Sequence, residues 1–190
     1  GAGASSLALA AAGAEVTGLD VSPDLLAVAR ARPRARAAAA GLAVAFREAD
    51  AATDDPGGPY DALFSRFGAM FFDAPEAAWA NLRRAMAPGA PLVVLAWREV
   101  KANPWVVTPL KMVGDLLDPV ERPPAGAPGP FGWADPALPT AWLSAAGWRE
   151  VAFAPAEAEL VFPAGEGDPL AAAVRAVIEI TPLSRRLGAL

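Results

Sequence analysis

The sequence is 190 residues long, enough for one domain with a full core. Its 16 basic and 21 acidic residues give a formal charge of −5, which argues against nucleic acid as a partner because phosphate binding needs a net basic footprint. Cysteine and histidine are both absent, which removes disulfides, thiol catalysis, the commonest general base and the usual zinc ligands. No metal site is expected.

The hydrophobic fraction is 54% and is led by alanine, which suits slender helices packed on a richer sheet. No apolar run approaches the roughly 18–20 residues needed to span a bilayer, and no signal peptide opens the chain. A cytoplasmic protein without a membrane span is the expectation. Gly1 in place of a starting Met reads as a processed or partial chain. The run Arg30, Arg32, Arg34 and Arg36 reads as a solvated helix face or turn.

In chain order, Ser6 to Ala12 is an alanine-rich helix stopped at Gly13. Glu15 to Asp20 is a short strand. Ser22, Pro23 and Asp24 supply a cap, a first-turn proline and a first-turn acid for a helix to about Arg30. Pro33 is expected to kink or break it, and a second alanine-rich piece follows to Ala40. Leu42 to Glu48 is a strand, Asp54 to Pro59 a loop, and Tyr60 to Phe64 the next strand. Asp73 to Glu76 has the form of a capping box that opens a helix to Met86. Pro91 to Trp97 is the clearest buried strand. Asn103-Pro104 starts a helix that Pro109 bends and that ends near Leu117.

Pro119 to Gly132 is a long proline- and glycine-rich loop, a common form of lid or binding loop. Asp135-Pro136 opens a helix closed by Gly147. Trp148 to Ala154 and Ala158 to Phe162 are spaced to pair as an antiparallel hairpin. Asp168-Pro169 starts a last helix that Pro182 interrupts. Alternation of strand and helix predicts an α/β fold with a mostly parallel sheet. No repeat and no second domain are visible, so residues 1–190 read as a single domain.

Gly1, Ala2 and Gly3 precede a helix whose free N–H groups favour an anionic ligand, and glycine permits close backbone approach. Asp20 ends the following strand, where an acid can accept from both hydroxyls of a ribose. Asp50 follows the next strand between the small residues Ala49 and Ala51, suited to an exocyclic amine and a ring nitrogen of adenine. Together these place three ligand-binding elements at the C-terminal edge of successive strands, where open α/β sheets bind ligands.

Gly1 to Leu26, Glu48 to Ala51 and Asn81 to Leu95 resemble three successive motifs of class I S-adenosylmethionine (SAM)-dependent methyltransferases. Phe64 to Phe72 and Trp97 to Trp105 resemble the ubiquinone/menaquinone biosynthesis branch. The resemblance implies a Rossmann-like three-layer sandwich, a seven-stranded sheet with its last strand antiparallel. It implies SAM as cofactor, S-adenosylhomocysteine as product and a small-molecule acceptor. Gly1, Ala2 and Gly3 would meet the methionyl end, Asp20 and Val21 the ribose, and Asp50 and Ala51 the adenine. Ser65 would lie beside the cofactor and Arg66 at the substrate entrance. The family's first strand is missing from this sequence, so a gap between its neighbours is expected.

Methyl transfer from a sulfonium needs alignment and desolvation more than a dedicated catalytic group, so no catalytic residue is named. Phe67, Phe71, Trp97 and Trp105 are candidate substrate-binding aromatics that can also face a sulfonium; Phe72 and Phe131 are further aromatic candidates. Phe71 and Phe72 face opposite ways if extended, so at most one belongs to the pocket. Arg66 and Arg98 can hold an anionic substrate. Two other readings remain open. A nicotinamide-dependent oxidoreductase shares the glycine loop and Asp20, but Ser6 replaces the third fingerprint glycine and Tyr60 has no lysine four residues on. The other is a non-catalytic or truncated methyltransferase-fold binding module.

Overall fold

A computed structural model describes residues 1–36, 41–113, 123–161 and 168–180. Helix α1 (Ala4–Ala11) leads to strand β1 (Val16–Asp20), helix α2 (Pro23–Arg36) and strand β2 (Val44–Glu48). Strand β3 (Leu63–Arg66), helix α3 (Pro75–Arg84) and strand β4 (Leu92–Leu95) follow. Helices α4 (Pro104–Val113), α5 (Ala137–Ala145) and α6 (Pro169–Ile180) complete the described elements. None of the described helices is long and apolar enough to cross a membrane.

The strands form two parallel pairs. β1 pairs with β2 from Val16↔Val44 to Asp20↔Glu48, and β3 pairs with β4 from Leu63↔Leu92 to Arg66↔Leu95. Parallel neighbours require a crossover, and α2 and α3 supply one each. A single continuous sheet is not formed: among the described residues no ladder joins one pair to the other. Each ladder stays two strands wide because no further described strand adds to either edge.

The main core gathers Ala69, Met70, Trp79, Leu82, Met86, Trp133, Leu143 and Trp148. Its sources are legible in the periodicity: α3 turns Ala78, Trp79 and Leu82 inward, while Leu63, Leu92 and Val94 supply the inner face of β3 and β4. Trp79 is fully buried and meets Trp148 and Phe72 edge-on at 6.2 and 5.7 Å between ring centroids. The Trp148 indole N–H donates to the Trp79 carbonyl at 3.2 Å. On the other pair, α1 and α2 bury Leu7, Ala10, Leu26 and Ala29.

Several expectations are corrected. α2 runs through Pro33 to Arg36 without a break, since one missing N–H removes a single bond from a stretch of good helix formers. The alanine piece to Ala40, the segment toward Leu117 and Pro182 lie outside the described residues. The C-terminal antiparallel hairpin is absent among the described residues: 151–161 form no strand, and 152–161 are exposed. Pro155 offers no N–H to a ladder, and no neighbouring strand covers this segment. The capping box is also absent. Ala74 is the N-cap of α3 without a side-chain bond, and Pro75 begins the helix. Tyr60 makes only an isolated bridge to Met86, and the strand starts at Leu63.

Candidate functional site

Two groups of predicted residues emerge, one on each strand pair. Gly3 caps α1 at φ +77°, and a Cβ there would lie 2.9 Å from the Phe46 ring and 3.0 Å from Ala29 Cβ. Gly18, facing the same ring, would place a Cβ 2.8 Å from it. Glycine at these two positions therefore makes room for Phe46, which no sequence motif singles out. Gly3 is buried, so its close approach is to protein as well as toward the loop.

At the end of β1, Asp20 pairs with the Gly1 ammonium through Oδ2 and accepts from the Ser22 N–H through Oδ1 at 2.8 Å. The Ala2 carbonyl is held by Arg32 at 2.8 Å, and Arg30 donates to the Phe46 carbonyl at 3.2 Å. These two arginines of the basic run, although exposed, anchor backbone around the loop. Arg34 and Arg36 side chains lie outside the description. Val21 is 63% exposed.

The Ala49 N–H donates to the Asp20 carbonyl at 3.1 Å, which carries the β1–β2 pairing one step beyond β2 and brings Asp50 beside Asp20's strand end. Asp50 Oδ1 then accepts from the Ala52 N–H at 2.8 Å, and the Asp50 N–H donates to Asp54 Oδ2 at 2.8 Å. Asp50 Oδ2 has no hydrogen bond among the described residues. Asn81, buried on α3, donates from Nδ2 to the carbonyls of Ala51 and Asp54 at 3.0 and 2.8 Å. Arg84 in turn donates to Asn81 Oδ1 at 2.7 Å. Thus α3 of one strand pair grips the loop that follows the other. Ala51 packs against the main core.

The second group lies past β3 and β4. Ser65 turns its hydroxyl to accept the Ala69 N–H at 3.2 Å, shaping the turn after β3. Arg66 is exposed and has no ion pair among the described residues. Phe67 adopts φ +58°, a backbone region that bulky residues rarely enter. Its N–H donates to the Leu95 carbonyl at 2.9 Å, and its ring stacks on Trp97 at 4.4 Å and 7°. Trp105, from α4, meets Trp97 at 4.9 Å and 52°. Phe67, Trp97 and Trp105 therefore form one aromatic surface at the C-terminal end of the β3–β4 pair. Phe71 does not join that stack; it sits at the end of a 3-10 turn and is 52% exposed. Phe72 packs on Trp79 in the core, and Arg98 pairs with Glu99 at 3.7 Å.

Residues 1–89 match the family described as methyltransferase domain. Over these residues, just under half of its length, the chain is a relative of methyltransferases. This methyltransferase relative is similar to demethylmenaquinone methyltransferase of Thermus thermophilus, at 46% identity over 86 residues, 45% of the chain and 37% of that protein. It is also similar to the uncharacterized protein Rv1403c of Mycobacterium tuberculosis, at 38% identity over 138 residues, 70% of the chain and 45% of that protein. The chain thus spans less than half the length of these curated relatives.

Among solved structures, the methyltransferase relative is similar to a chain reported under the words "Conversion of a Disulfide Bond into a Thioacetal Group during Echinomycin Biosynthesis". The TM-score is 0.57 at 25% identity, over 75% of this chain and 57% of that one. Together with the family match, this likeness supports a Rossmann-like α/β fold.

Proposed function

We propose that the protein transfers a methyl group from SAM to a small-molecule acceptor by in-line displacement. The observation that carries this reading is the adjacency of Asp20 and Asp50, two carboxylates at neighbouring C-terminal strand ends tied by the Ala49–Asp20 backbone bond. Their chemistry fits the cofactor. A carboxylate accepts from up to about four donors, so Asp20 suits a ribose diol and Asp50 Oδ2 suits an exocyclic amine.

In this reading Gly1, Ala2 and Gly3 hold the methionyl end, Asp20 and Val21 the ribose, Asp50 and Ala51 the adenine, and Ser65 borders the cofactor. When bound, SAM supplies an electrophilic methyl on a sulfonium. The chain's own share is alignment and exclusion of water. Arg66 meets the acceptor at the entrance, and Phe67, Trp97 and Trp105 offer aromatic faces to the acceptor and to the sulfonium, with Phe71 apart from that stack. No proton-transferring side chain is assigned.

Calorimetric titration with S-adenosylhomocysteine, with NADH as control, tests the reading. Saturable binding of S-adenosylhomocysteine alone supports it. Binding of NADH alone selects a nicotinamide enzyme. Binding of neither by a cooperatively melting protein selects the non-catalytic module.

A further inference from the structure

Asn103 is 7% exposed, and its side chain bonds both to the segment that follows Trp97 and to Trp105. Its Nδ2 donates to the carbonyls of Arg98 and Glu99 at 3.1 and 3.0 Å, which fixes the chain immediately after Trp97. Its Oδ1 accepts the Trp105 indole N–H at 3.3 Å. The Asn103 backbone carbonyl accepts from the Val106 and Val107 N–H groups at 3.0 and 3.1 Å, which sets the start of α4 and hence the position of Trp105. One buried amide thus couples the two segments that carry Trp97 and Trp105. A buried amide with its donor and acceptor sides both engaged rigidifies what it joins.

We infer that Asn103 is a positioning residue of the acceptor site, holding Trp97 and Trp105 at the angle that presents their faces to a planar, aromatic acceptor. The inference rests on the proposed reading of Phe67, Trp97 and Trp105 as the acceptor surface. Phe67 and Trp97 stack on each other within 7° of parallel, so a flat ring system would meet the faces that this stack leaves uncovered. Offset stacking and edge contacts are the geometries such rings favour. Asn103 touches neither cofactor nor acceptor in this account. Its effect passes through Trp105 and the 98–99 carbonyls.

The test uses 2-naphthol as a planar probe, titrated into the protein saturated with S-adenosylhomocysteine. Near-UV circular dichroism follows the tryptophans in parallel, Trp97 and Trp105 among them. Asn103→Ala is expected to weaken 2-naphthol binding about tenfold and to diminish the tryptophan signal. The affinity for S-adenosylhomocysteine should be unchanged, which a general loss of structure would not spare. Trp105→Phe keeps a ring and the carbonyl bonds of Asn103 while removing the indole donor. It is expected to lose a few-fold in 2-naphthol affinity, and the double variant should be no weaker than Asn103→Ala. Unchanged 2-naphthol affinity and dichroism in Asn103→Ala would overturn the positioning role alone. A native protein that binds S-adenosylhomocysteine but not 2-naphthol would overturn the acceptor-surface reading and this inference with it.

Discussion

The ring of Phe46 fills the space that a side chain at Gly3 would need, 2.9 Å from where its Cβ would stand. The entry to α1 and the middle of β2 are therefore fitted to each other, and Gly3 is held at φ +77° as part of that fit. Gly3→Ala is expected to cost about 1–3 kcal/mol from backbone strain and overlap combined. Chemical denaturation measures this, and Gly3→Ala combined with Phe46→Leu should recover part of the loss, because the two sites are in contact.

Asp20 offers a way to separate charge from turn geometry. Asp20→Asn keeps an oxygen for the Ser22 N–H, whereas Asp20→Ala removes it. With Asp20 on the ribose, Asp20→Ala should weaken S-adenosylhomocysteine binding roughly 10- to 100-fold, as loss of hydrogen bonds to a charged group implies. Asp20→Asn should lose less. Calorimetry on folded variants checks the order, and equal affinity in all three proteins would remove Asp20 from the cofactor site.

Asn81 holds two loop carbonyls from a buried position. Asn81→Ala leaves both without that donor and Arg84 without its acceptor, with an expected cost of about 1–3 kcal/mol. Amide exchange should accelerate at Ala52, Thr53 and Asp54, and S-adenosylhomocysteine affinity should fall with it because Asp50 opens the same turn. Protection unchanged at these amides would show that the loop holds itself.

Arg66 stands exposed at the end of β3, beside the Phe67 stack in sequence. Arg66→Ala is expected to change the kinetic constants for a phenolic or quinol acceptor at least several-fold, while S-adenosylhomocysteine affinity stays within about twofold. A change confined to the cofactor would contradict its assignment to the substrate entrance.

The sequence made β1, β2 and β4 legible because each lies in a short run with β-formers next to turn residues, as Leu92–Leu95 follows Pro88-Gly89, whereas the strand expected over Tyr60–Phe64 begins only at Leu63. Asp20 and Asp50 could be read as neighbours because successive parallel strands end at the same edge. Asn81 and Asn103 were not legible as anchors. One sits within a helix and the other before a proline, and only the packing shows that each is buried against carbonyls from distant or adjoining turns. The expected hairpin rested on how close Trp148–Ala154 and Ala158–Phe162 lie along the chain; over 148–161 no strand forms, since a strand also needs a neighbour, and Phe162 lies outside the described residues.

Among the described residues no ladder joins the two strand pairs, and the contacts seen between them run through side chains. Asn81 is one such link, reaching from α3 to the loop after β2. The acids assigned to the cofactor belong to one pair and the aromatic surface to the other. A ligand that touched both would add a bridge of its own beside the one Asn81 makes, and its binding would stabilise the two pairs together.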